Sequence, residues 1–66
     1  MKLENYKGHT LRIVYVDRRG QITQRDIEVK AVSDGQIRAY CLTSKGPRVF
    51  FIKNILAFKL VHRYAG

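Results

Sequence analysis

Short β-type runs, broken by turn signals at intervals of about ten residues, restrict this chain more than any single motif does. The sharpest turn signal is Ser33-Asp34-Gly35, an Asp-Gly pair flanked on both sides by alternating sequence, which predicts a tight hairpin. Ahead of it, Thr10 to Asp17 is β-branched and aromatic, with Leu11, Ile13 and Tyr15 on one face and Arg12, Val14 and Val16 on the other. Both faces carry apolar residues, so Val14 and Val16 are expected to be covered by another element or a second subunit. Asp17-Arg18-Arg19-Gly20 supplies a turn. Gln21 to Val32 alternates again, placing Thr23, Arg25, Ile27, Val29 and Ala31 together. Arg25 is therefore a charge on an otherwise apolar face. It must reach the rim, find a structural carboxylate or line a pocket.

Beyond the hairpin, Gln36 to Thr43 sets Ile37, Ala39 and Cys41 against Arg38, Tyr40 and Leu42. Ser44 to Pro47 ends that strand and Arg48 to Ile52 begins the next, with Phe50 and Phe51 on opposite sides, so at least one of them belongs to the core. Lys53-Asn54 breaks the run, and the β context favours a closing strand over Ile55 to His62. Met1 to Gly8 is polar and ends in glycine, which allows a short helical turn or an irregular lead-in, with Tyr6 lying on the core as a lid. The sum is one all-β domain over residues 1–66, a small five-stranded barrel. Closure is expected because so short a chain has no spare element to cover a sheet edge. A core this size gives marginal stability unless self-association helps it.

Charge bounds the partner. Thirteen Lys and Arg against five Asp and Glu give a net charge of +8, unevenly spread. Residues 1–34 hold all five acids and seven bases; residues 35–66 hold six bases and no acid. A field of that sign gathers polyanions, which puts nucleic acid first among partner classes, although solubility alone also calls for charge. The single cysteine, Cys41, forms no internal disulfide, and with no apolar N-terminal segment the expectation is a reducing cytoplasm and no membrane.

Catalytic and metal chemistry lack their parts. His9 and His62 are far apart with no ligand cluster beside them, so no metal or other cofactor is expected. No paired carboxylates, nucleophile elbow or phosphate-cradling glycine loop is present, and Cys41 between Tyr40 and Leu42 reads as an inert buried thiol. The chain is not expected to be an enzyme. Binding chemistry is better supplied. Arg12, Arg25, Arg38 and Arg48 lie on separate strands beside Tyr15, Tyr40, Phe50 and Phe51. Guanidinium forks phosphate oxygens and aromatic faces stack bases, which suits single-stranded DNA or RNA.

The order Ile13-x-Tyr15, Gly20, Arg25-x-Ile27, Ala39-Tyr40-Cys41 and Arg48-x-Phe50-x-Ile52-x-x-Ile55 resembles the bacterial WYL domain, from about Leu11 to Leu60. That resemblance implies an SH3-like or Sm-like barrel that senses nucleic acid or a nucleotide and regulates a neighbouring DNA-binding or helicase domain, so its vocabulary is transcription regulation. No helix-turn-helix accompanies it in these residues, so regulation within the chain is not expected. The naming triplet falls near Gly35-Gln36-Ile37, and Phe51 and Asn54 stand where the family pattern has basic residues. Phe51 then reads as a structural replacement for a lost arginine. The positions that match are Tyr15, Arg25, Tyr40 and Arg48. The expected site is accordingly Arg25, Arg48 and Arg38 as phosphate contacts, with Tyr40 and Tyr15 to stack or hydrogen-bond. The alternative is a protein-interaction or self-assembly module, docking a partner or a homo-oligomer through Val14 and Val16 or through Phe50 and Phe51.

Overall fold

Asp34 and Gly35 both take positive φ, 51° and 73°, in the computed structural model, which describes residues 3–61. Two consecutive left-handed residues match the right-handed twist of the flanking strands, so Ser33 pairs with Gln36 across a two-residue loop. Gly35→Ala meets no atom within 4 Å, which leaves backbone strain as the whole cost. We expect this variant to lose about 1 kcal/mol in equilibrium urea unfolding, with ligand affinity unchanged.

Around that hairpin the chain forms β1 (Thr10–Val16), β2 (Ile22–Ser33), β3 (Gln36–Cys41), β4 (Gly46–Phe51) and β5 (Ile55–Leu60). All pairings are antiparallel, in one five-stranded sheet of order β4-β3-β2-β1-β5. Two bulges curl it. Lys30 is the extra residue where β2 changes register against β3, and Leu56 is the extra residue where β5 changes register against β1. The first bulge also resets the alternation of β2. Ala31, expected on the inner face, is paired with Arg38, while Val32 pairs with the buried Ile37 and packs on the core.

The inner face holds Leu11, Ile13, Ile27, Val29, Ile37, Ala39, Cys41, Phe50 and Ile55, all buried. An N-terminal 3₁₀ turn, Leu3–Tyr6, covers one end of this core. Tyr6 is half-buried there and meets Phe58 edge-on at 5.5 Å, but the plug is Leu3, which is fully buried. A lone leucine in a polar lead-in carries no periodicity to announce it. Val14 and Val16 are half-buried on the other face of β1.

The sheet is not a closed barrel. Among the described residues β4 and β5 share no ladder, although the 3₁₀ turn Ile52–Asn54 that joins them spans only about 6 Å and draws their near ends together. The reason lies in the donors of β4. Ile52 N–H bonds the Gly35 carbonyl, so by antiparallel alternation the N–H groups of Phe50 and Arg48 also face β3, while positions 47, 49 and 51 face the gap. Pro47 has no N–H to offer, and the Phe51 N–H donates to the Tyr15 hydroxyl at 3.1 Å instead of to β5. Pro47 thus sits inside an edge strand, where sequence reading puts a turn, because its missing donor faces away from the ladder. The last strand ends at Leu60, two residues short of the expected limit; His62 lies outside the described residues. Among the described residues no helix is long and apolar enough to cross a membrane.

Candidate anion-binding face

Two arginines on neighbouring positions of the β1–β2 ladder meet opposite fates. Arg12, on the outer face, forks Asp26 with its Nε at 2.8 Å and a second nitrogen at 3.2 Å, so its charge is committed to the fold. Arg25 stands on the inner face, paired with Ile13 and one step from Ile27. Its Nε donates to the Thr23 hydroxyl at 3.3 Å and its Nη1 to the Cys41 sulfur at 4.0 Å. Among the described residues no carboxylate lies within ion-pair distance of it. A guanidinium has five N–H donors, and a hydroxyl and a thiol are weak partners for two of them. No buried side-chain nitrogen or oxygen is left unsatisfied among the described residues, so the remaining donors of Arg25 reach solvent.

They reach it through a depression of about 420 Å³ at the end of the sheet where β4 and β5 approach. Arg18, Arg25, Arg48 and Lys53 bring positive charge to its lining, and Asp17 is its one acid. Asp17 is occupied: its Oδ1 accepts the backbone N–H groups of Arg19 and Gln21, both at 2.9 Å, which holds the β1–β2 turn. Tyr15, Phe50 and Phe51 supply the apolar wall. The Tyr15 ring meets Phe50 edge-on at 5.0 Å, and its hydroxyl accepts from Phe51, so this side chain braces the floor with one O–H left to donate. Phe50 is core at 2% exposed, whereas Phe51 is 44% exposed at the rim, where a flat ligand can meet it.

Of the five residues expected to form the site, Tyr15, Arg25 and Arg48 line this depression together. Arg38 does not; it lines a shallower hollow of about 530 Å³ on the outer side of β3 and β4, with Lys30, Pro47, Arg48 and Val49. Tyr40 stands exposed on the same outer side, between Glu28 and Pro47 in register. Arg18, Lys53 and Asn54 are additions. Turn cations read as solvated surface in a sequence, and only the fold brings the Asp17–Gly20 turn beside Lys53.

Cys41 is fully buried. Desolvation, the largest single influence on its thiol, pushes the pKa up, but hydrogen bonds from Ser44, Arg25 and Thr43 outweigh it and leave the thiol below its ordinary value. With no solvent access the shift makes no reactive nucleophile. Among the described residues no group of His, Cys, Asp or Glu is placed to hold a metal ion.

No protein-family model and no curated relative matches the chain. Among solved structures it is similar to proteasome accessory factor B/C (PafBC) of Arthrobacter aurescens, with a TM-score of 0.70 and 26% identity over 85% of this chain. The match spans 10% of that chain's length. The similarity supports a WYL-related fold, in agreement with the motif order in the sequence.

Proposed function

We propose that this chain is a non-enzymatic regulatory module that binds single-stranded nucleic acid or a nucleotide, with Arg25 and Arg48 on phosphate and Phe51 against a base. The observation that carries the reading is Arg25, a guanidinium on an apolar face with no carboxylate partner among the described residues, opening into a basic depression. Its stem rests against the core while guanidinium donors stay open to the depression, where an anion can take them. The excess of Lys and Arg supports a polyanionic ligand, and the similar protein's name, an accessory factor, fits a regulatory role. A reducing cytoplasm is the setting this reading assumes, and one unpaired cysteine is compatible with it. Anisotropy titration of labelled short DNA and RNA strands tests the reading. Binding at low salt that weakens steeply as salt rises is the expected result, and no binding at low salt overturns it.

A second reading, self-assembly or protein docking, is favoured by one observation. Among the described residues no strand pairs with the outer edge of β5, and Leu56, its bulge residue, is 56% exposed. Light scattering across concentration decides this reading, since a strictly monomeric protein rules out self-assembly.

A further inference from the structure

The depression and the outer hollow share Arg48 and Val49, so they meet across the open edge of β4. That edge is chemically specific. Of its outward positions, Pro47 has no N–H and Phe51 gives its own to Tyr15, which leaves Val49 as the interior position of β4 with an outward N–H uncommitted to the ladder. The donor lies beside the Arg48 guanidinium in sequence. Arg25 stands on one side of this ridge; Arg38, paired with Val49 in register, stands on the other.

We infer that the ligand is an oligonucleotide strand that crosses the β4 edge, rather than a mononucleotide held in the depression alone. One phosphate sits at the ridge on the Val49 N–H and Arg48. A second, on the inner side, takes Arg25, and a third, on the outer side, takes Arg38. Exposed Tyr40 stands next to that outer position on β3, where a base emerging from the ridge can stack. Lys30 adds outer charge, partly offset by Glu28 at 3.5 Å. A single phosphate can satisfy only one of these positions at a time, so the arrangement rewards a chain of them. This inference rests on the Arg25–Arg48 reading and extends it to the opposite face of the sheet.

The test uses a labelled oligothymidylate of about eight nucleotides, with thymidine monophosphate as the single-phosphate probe, against the wild type and Arg38→Ala. The octamer is expected to bind at least about tenfold more tightly than the monophosphate, and Arg38→Ala to remove about that factor for the octamer alone. Nitrogen-15 spectra of the wild type are expected to show the Val49 amide moving on addition of the octamer. Equal affinity for both probes, an Arg38→Ala variant that binds the octamer like the wild type, or a Val49 amide that does not move overturns the inference. If binding survives those failures yet disappears when Arg25 and Arg48 are replaced, the Arg25–Arg48 reading stands and the crossing strand falls. If neither probe binds, both fall.

Discussion

Replacing Arg25 and Arg48 together with alanine is expected to weaken binding of a short single strand at least a hundredfold at low salt, with each charged contact contributing about 1.5–3 kcal/mol. Two further readouts separate phosphate contact from loss of fold. The slope of log affinity against log salt should fall by about 1.4, two contacts at about 0.7 each for single strands. Thermal unfolding should stay cooperative, because neither guanidinium holds a carboxylate among the described residues. Arg12→Ala serves as the contrast, since its charge is already held by Asp26. It should leave affinity almost unchanged. If Arg12→Ala weakens binding as much as the double variant does, long-range charge explains the affinity and the site assignment is wrong.

Phe50→Ala is expected to abolish the fold. The ring is buried against Tyr15 and lies across from Ile37, so its removal costs about 3–5 kcal/mol in transfer and cavity terms. A single core of this size seldom supplies more than about 3–5 kcal/mol in total. Loss of the native far-ultraviolet circular dichroism and of any cooperative urea transition would show it. Phe50→Leu keeps most of the volume and should stay folded, about 1–2 kcal/mol less stable. A Phe50→Ala protein with a wild-type urea midpoint would mean that the sheet's stability does not come from its inner face.

Most of the fold was legible because its determinants are local. Alternation through Leu11, Ile13 and Tyr15, and through Ile37, Ala39 and Cys41, places those side chains correctly, and Asp34-Gly35 dictates its own turn. What could not be read depends on contacts between distant residues. Nothing near Pro47 says that it will sit on an outer strand, and nothing near Phe51 says that the Tyr15 hydroxyl, 36 residues earlier, will take its N–H. The bulge at Lys30 hides in a run that keeps its composition while exchanging the roles of Ala31 and Val32. For the site, Arg25 was visible as a charge on the wrong face. Parity also held a warning that Arg38 and Tyr40 would stand apart from it, because both alternate with the inward Ile37, Ala39 and Cys41, whereas Arg48 keeps step with Phe50. The cations of the turns, Arg18 and Lys53, have no such parity and needed the fold to place them.

The Tyr15 hydroxyl also weakens β4 as an edge for strand addition. A strand adding to a sheet needs a donor at every second residue, and β4 offers one such donor between a proline and a group already taken. One donor suffices for a phosphate oxygen, whereas a strand added here forgoes two ladder bonds. Edge pairing with a second copy, where it occurs, is thereby expected to fall on β5 rather than on β4.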